Sequence, residues 1–327
     1  MLERNLSLKK IFDSALQQHQ KNNLEVAKKL YKEVLKADPN HAISHNNLGM
    51  VLKELGQFQN AINCYQKAIQ INPNLVDAHH NLGNVQKKLR KFKEAGSCYE
   101  KAIKIQPLHI PSHNNLGMVF QELGDLQKSK SCYEKAIQIN PNYADVYNNL
   151  GRVFQKLEES EKAISCYEKA IQINPNHANA YYNLGLASQE LGDSQKGISY
   201  YKKAIKIQPS HVNAHNNLGI AFQELGEFKK AISCYQKTLK YEPENLTYLY
   251  QLSDLKKDIL DSKLKNKINK IMRRENCGEK NLAYGNFLLA KYALKTKSYE
   301  KEFNYLLKGH RCYFDSEKKN FNKGIDY

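Results

Sequence analysis

Between residues 42 and 75 the apolar positions fall into two runs: Leu48, Val51, Leu52 and Leu55, then Ala61, Ile62, Tyr65, Ala68, Ile69 and Ile71, separated by Gly56 and Gln57. Steps of three and four residues put each run on one face of a helix, and the interruption predicts helix, tight turn, helix. The second run stops at Ile71-Asn72-Pro73-Asn74. Proline has no amide to continue the helix and pushes its predecessor out of helical geometry. The segment reads as an αα-hairpin, and a single hairpin cannot bury its own apolar stripe.

The pattern returns at a fixed interval. Pro39, Pro73, Pro107, Pro141, Pro175, Pro209 and Pro243 are each 34 residues apart, and Gly49, Gly83, Gly117, Gly151, Gly185 and Gly219 keep the same step. A leucine precedes each of those glycines, from Leu48 to Leu218, and Tyr31, Tyr65, Tyr99, Tyr133, Tyr167, Tyr201 and Tyr235 recur in register. Such a period marks a stack of hairpins in which every unit contacts only its neighbours, so added length adds repeats and not globular domains. Glycine and alanine pairs such as Gly83 with Ala95, or Gly151 with Ala163, mark expected close approaches of two backbones, with tyrosine filling the remaining space.

The spacing, small residues, tyrosine and terminal proline resemble the tetratricopeptide repeat over residues 8–245. That resemblance implies an all-α, right-handed superhelical solenoid of stacked antiparallel helix pairs. Seven units are expected: 8–41, 42–75, 76–109, 110–143, 144–177, 178–211 and 212–245. The first keeps Ala15, Ala27, Tyr31 and Pro39 but lacks the Leu-Gly pair, as a terminal unit does. Gln86 stands where other units carry Phe120 or Phe154, and Arg90 and Glu158 stand where others have glycine, so those units are expected to be looser.

After Pro243 the period decays. Leu252 and Ser253 replace the Leu-Gly pair, so 246 to about 260 is expected to be a closing helix, and Lys256 to Arg274 is lysine-rich and amphipathic. Leu282 to Tyr313 reads as one divergent hairpin, so residues 246–327 form a helical C-terminal cap. This tail resembles the joint between repeats and catalytic domain in bacterial tetratricopeptide sulfotransferases, although their nucleotide-binding loop is absent.

The positions just before each Leu-Gly pair read Asn46-Asn47, His80-Asn81, Asn114-Asn115, Asn148-Asn149, Tyr182-Asn183 and Asn216-Asn217. In stacked hairpins of this kind they face the inner groove. An amide offers two donors and an acceptor with two lone pairs, so a row of them pairs with both N–H and C=O of an extended peptide without reading its side chains. Asn47, Asn81, Asn115, Asn149, Asn183 and Asn217 resemble the asparagine ladder in the repeat domain of O-linked N-acetylglucosamine transferases, which implies a peptide held along the groove. The competing reading is that these amides brace neighbouring helices by bonding to backbone. The adjacent positions vary, from Met50 and Met118 to Asn84, Arg152, Leu186 and Ile220, which suits contact with ligand side chains.

Net charge is +17 over 327 residues, which suggests acidic partners, while a genome biased toward lysine and asparagine codons accounts for the same surplus without one. From Leu246 onward 18 Lys or Arg face 10 Asp or Glu, so +8 of the surplus lies in the tail. Groove charge reads as mixed, with Lys53, Lys87, Lys88, Arg152 and Lys156 set against Glu54, Asp77, Glu122, Asp145, Glu190 and Glu224. That excludes a continuous phosphate track and leaves only nonspecific, salt-sensitive attraction to nucleic acid.

Candidate chemistry dissolves into the repeat. Cys64, Cys98, Cys132, Cys166 and Cys234 share one place in the unit, too far apart on neighbouring units for disulfides, and Cys277 and Cys312 lack a CxxC partner. His41 and His45, His109 and His113, and His211 and His215 each straddle a repeat junction, which argues for packing over a metal site. No nucleophile elbow, phosphate-binding loop or paired carboxylates are visible. The charged segment Met1 to Gln20 reads as no secretory leader, no apolar run spans a membrane, and the thiols suit a reducing, cytoplasmic setting. The sequence thus predicts a protein- or peptide-binding scaffold with no cofactor and no enzymatic activity of its own, its oligomeric state left open. The alternative is a substrate-recognition arm of a sulfotransferase or glycosyltransferase whose catalytic domain is missing from this chain.

Overall fold

The computed structural model describes residues 2–322; Met1 of the N-terminal segment and residues 323–327 of the expected cap lie outside the described residues. Among the described residues the structure is entirely helical, with no strand, and the chain divides into two compact units, Met1–Val153 and Phe154–Tyr327.

The first unit holds the pairs α1 (Leu2–Gln20) with α2 (Leu24–Ala37), α3 (Ala42–Glu54) with α4 (Phe58–Ile71), α5 (Val76–Lys88) with α6 (Phe92–Ile105), and α7 (Ile110–Glu122) with α8 (Leu126–Ile139), followed by the first turns of α9 (Ala144–Lys156). Within it α2 packs on α3, α4 on α5 and α6 on α7, while the first helices α3, α5 and α7 also touch in succession. One buried cluster runs from Ala15 and Tyr31 through Leu48, Val51 and Tyr65 to Leu82 and Val85.

The second unit holds α10 (Ser160–Ile173), the pairs α11 (Ala178–Glu190) with α12 (Ser194–Ile207) and α13 (Val212–Glu224) with α14 (Phe228–Tyr241), and then the tail. The closing helix, α15 (Leu246–Leu255), ends earlier than the sequence suggested and gives way to a short 3-10 turn, Lys257–Ile259. The lysine-rich stretch forms α16 (Ser262–Met272), whose start is capped by the Asp261 carboxylate accepting from the Leu264 amide at 2.7 Å. A final hairpin pairs α17 (Glu279–Lys295) with α18 (Tyr299–Asn322). Leu246, Ile268, Ile271, Leu288 and Leu289 share one buried cluster, so the tail has an apolar core of its own, and Leu239 of α14 packs against it.

The proline turns close by a local device. Asn72, Asn140 and Asn174 leave helical geometry, and their side-chain oxygens accept from the amides two residues on, at 3.1, 2.9 and 3.0 Å. Asparagine thus supplies the turn that proline alone would leave open.

The glycine register has a different cause from the one the sequence suggested. Tyr65, Tyr99, Tyr133, Tyr201 and Tyr235 are fully buried, and a Cβ added at Gly49, Gly83, Gly117, Gly185 or Gly219 would sit 2.6–2.7 Å from the ring of the tyrosine sixteen residues later. The glycine makes room for an aromatic edge on the partner helix, not for another backbone. Leu-Gly and tyrosine therefore form one structural unit separated by a turn.

The inter-helix turns need a left-handed residue. Gly56, Gly124, Gly192 and Gly226 have φ of 74°, 80°, 83° and 72°, whereas Arg90 and Glu158 are held there at 62° and 61°. A non-glycine residue in that region costs about 1 kcal/mol, so these two turns carry a local backbone cost that the glycine turns do not. Glu158→Gly is expected to raise stability by about 0.5–1 kcal/mol, read as a higher urea midpoint; a lower midpoint would mean that the exposed glutamate contributes more than its backbone costs.

Candidate functional site

Histidines and cysteines are accounted for by the architecture. His41, His177 and His211 sit at helix starts, where Nδ1 accepts from the Ser44, Ala180 and Ala214 amides at 3.2, 3.1 and 3.2 Å. His45, His79, His113 and His215 donate from Nε2 to the carbonyls of Pro39, Pro73, Pro107 and Pro209 at 3.0, 2.9, 2.8 and 2.9 Å. One member of each histidine pair caps or approaches its helix start while the other ties the proline turn, so the rings have separate structural tasks. Among the described residues no cluster of His, Cys, Asp or Glu has metal-binding geometry. Burial raises the thiols of Cys64, Cys98 and Cys234, and pushes Cys132 up to about 12, so they are protonated packing groups rather than nucleophiles.

The asparagine positions sit at the junctions of successive first helices. In the first unit Asn81 donates to Asn46 at 3.1 Å and Asn149 donates to Asn114 at 3.1 Å; in the second, Asn217 donates to the Tyr182 hydroxyl at 3.2 Å. Each bond spans 35 residues, so the second amide of one repeat reaches the first polar group of the repeat before it. Asn46 and Asn216 turn inward to their own neighbours, Asn47 at 3.2 Å and Asn217 at 3.1 Å. Asn46, Asn148 and Asn183 are buried, while Asn47, Asn81, Asn114, Asn115, Asn149, Asn216 and Asn217 are half-buried. For Asn81, Asn149 and Asn217 the bracing runs from amide to amide or hydroxyl.

Asn115 departs from this scheme. It donates to Asn84 at 2.8 Å, which also receives the Tyr99 hydroxyl at 2.8 Å, and its own oxygen accepts from Lys87 Nζ at 3.2 Å. Lys87 lies 3.6 Å from the Met118 sulfur, and burial pulls its ammonium below the ordinary lysine range, opposed by the charge of Glu122. The sequence offered no reason to single out Asn84, Lys87 and Met118 as one cluster beyond the place of Asn84 and Met118 in the variable row and of Lys87 among the groove charges. They line a cavity of about 670 Å³ in the first unit.

Antiparallel helix pairs repeated at 34 residues, with first helices in succession and tyrosine seated on glycine, define a helical-repeat scaffold. Tetratricopeptide-repeat profiles match residues 16–41, 30–63, 50–89, 74–141, 108–176 and 176–241, and the chain belongs to the tetratricopeptide-repeat family, a class of protein-interaction modules. Among solved structures it is similar to a tetratricopeptide repeat protein from Parabacteroides merdae, at 14% identity over 76% of this chain and 99% of that one, with a TM-score of 0.63. It is also similar to the APC/C hetero-tetramer Cut9-Hcn1, at 17% identity over 76% and 48% and a TM-score of 0.62. A third likeness is to pilF of Pseudomonas aeruginosa, at 20% identity over 65% and 96% and a TM-score of 0.58. These similarities concern the fold. No curated protein matches the sequence, and no described helix is long and apolar enough to cross a membrane.

Proposed function

We propose that this protein is a noncatalytic scaffold that holds an extended polypeptide against its first helices through Asn47, Asn81, Asn115, Asn149, Asn183 and Asn217. In this reading residues 8–245 are the binding repeats and residues 246–327 a cap. The observation that carries it is the lateral bonding of Asn81, Asn149 and Asn217, which fixes the amide of these three repeats in a set orientation while leaving the side chain only half-buried. Each of these amides spends one N–H on the brace, and by valence retains a second N–H and at least one carbonyl lone pair for a ligand, the Asn217 oxygen already accepting from Asn216. Packed helices lie about 8–10 Å apart, close to three residues of extended peptide, so one amide per repeat samples a backbone at regular steps and at little cost in side-chain entropy. Asn46, Asn114, Asn148 and Asn216 are further peptide-binding positions of this reading, of which Asn46 and Asn114 also accept the braces from Asn81 and Asn149.

The test uses a fluorescein-labelled neutral peptide, (Gln-Ser)6, and the full chain with Asn115→Ala, Asn149→Ala and Asn183→Ala combined. Affinity is expected to fall at least about tenfold, and stability by about 1 kcal/mol for each brace removed. Retention of wild-type affinity by a folded triple variant would leave these amides as braces only.

A further inference from the structure

The cavity in the first unit carries more cations than carboxylates. Lys53, Lys87, Lys88, Arg90 and Arg152 line it, against only two carboxylates, Glu54 and Glu122. Glu54 is already engaged by the ring of His19 at 3.2 Å. Among the described residues none of the five cations forms an ion pair. The nearest partners of Lys87 are the neutral Asn115 oxygen and Met118 sulfur.

A second and independent feature points the same way. Gln121 lines the cavity, is only 8% exposed, and spends its side-chain oxygen on the Tyr133 hydroxyl at 3.2 Å. Its Nε2 is buried with no acceptor. An unpaired buried donor costs about 1–3 kcal/mol, so such groups call for a partner. An acceptor brought by a ligand satisfies it, and a negatively charged acceptor also answers the five cations. Two of the five lie over aromatic rings: Lys88 Nζ is 4.8 Å from the Phe58 ring centre, and the Arg90 guanidinium 5.5 Å from that of the lining residue Phe92. Arg90 does so from a left-handed turn position where four other turns carry glycine.

We propose that this cavity is a specificity pocket for an acidic side chain, aspartate or glutamate, of the polypeptide bound along the first helices. The carboxylate accepts from Gln121 Nε2 and lies among Lys53, Lys87 and Arg152, while Phe92 and Met118 contact the methylenes that carry it. The inference rests on the peptide-binding reading and adds to it the chemistry of one bound residue. The asparagine row meets backbone without preference, whereas this pocket discriminates.

Three labelled probes test it on the full chain: (Glu-Ser)6, (Gln-Ser)6 and a uridine 12-mer RNA. The wild type is expected to bind (Glu-Ser)6 at least about tenfold more tightly than (Gln-Ser)6 at 0.1 M salt. Gln121→Glu, which keeps the shape and replaces the orphan donor by a like charge, should remove that preference. So should Lys53→Gln combined with Arg152→Gln, whereas Lys101→Gln combined with Lys135→Gln, an equal charge change on exposed second-helix positions, should leave it intact. Equal loss in both lysine and arginine sets would reduce the preference to net charge and overturn the pocket. Equal binding of the two peptides would overturn the pocket and leave the scaffold reading standing, while binding of neither would overturn both. RNA binding as tight as that of (Glu-Ser)6 and lost in the same pocket variants would assign the site to phosphate and overturn the acidic peptide.

Discussion

Replacing Tyr133 by alanine is expected to lower the unfolding free energy by about 3–5 kcal/mol. The side chain is fully buried, its hydroxyl donates to Gln121, and its ring lies against Gly117. The more diagnostic result comes from the glycine. A methyl group at residue 117 would stand 2.7 Å from Tyr133 Cε1 and 2.8 Å from Cζ, closer than van der Waals contact permits. Overpacking of this kind costs about 1–3 kcal/mol, set against the gain of about 1 kcal/mol that alanine brings to a helix interior. Gly117→Ala alone should therefore destabilise. In the Tyr133→Ala background the clash is gone and only the helix propensity remains, so the same substitution should stabilise by about 1 kcal/mol. Urea melts of the four chains measure this cycle, and an equal effect of Gly117→Ala in both backgrounds would contradict the packing account. Because each repeat contacts only its neighbours, the loss at Tyr133 should also uncouple the hairpins on either side and broaden the transition.

Acid should destabilise the first unit through His80. Burial, reinforced by the nearby charges of His109, Lys87 and Lys53, pulls its ring down to about 4. Its Nδ1 lies 3.0 Å from the Ser112 hydroxyl, and its ring centre lies 5.1 Å from that of His109. A histidine with a lowered folded value binds a proton less readily in the native chain than in the unfolded one. Its stabilising contribution is complete above about pH 6.5 and is lost as pH falls toward 4. One such group contributes about 2–3 kcal/mol over that window. His109, His211 and His215, also lowered by burial, act in the same direction. Asparagine occupies the equivalent place as Asn46, Asn114, Asn148 and Asn216, so His80→Asn is a conservative test. The urea midpoint of the wild type should drop more steeply between pH 7 and pH 4.5 than that of the variant, and parallel profiles would remove His80 as the cause.

The candidate site was legible in part. The asparagine pairs stood out because duplication prints them at 34-residue intervals, but their bonds could not be foreseen, since each crosses 35 residues to a different helix. The basic pocket was hidden for the same reason. Lys53, Lys87 and Arg152 looked evenly opposed by carboxylates along the chain, yet the fold gathers five cations around Gln121 and brings in only two carboxylates, one already occupied by His19.

What the sequence by itself determined is everything local and periodic: helix spacing, proline stops, the 34-residue step and hence a stack of hairpins, because these depend on contacts within a few turns of the chain. What only the tertiary structure decided is what each recurring residue does once stacked. It showed glycine receiving a tyrosine ring, histidine tying a proline carbonyl, and asparagine bracing its neighbour while one glutamine donor stays unpaired. Those roles are set by distances between helices, and helix-to-helix distance follows from packing rather than from any single stretch of sequence.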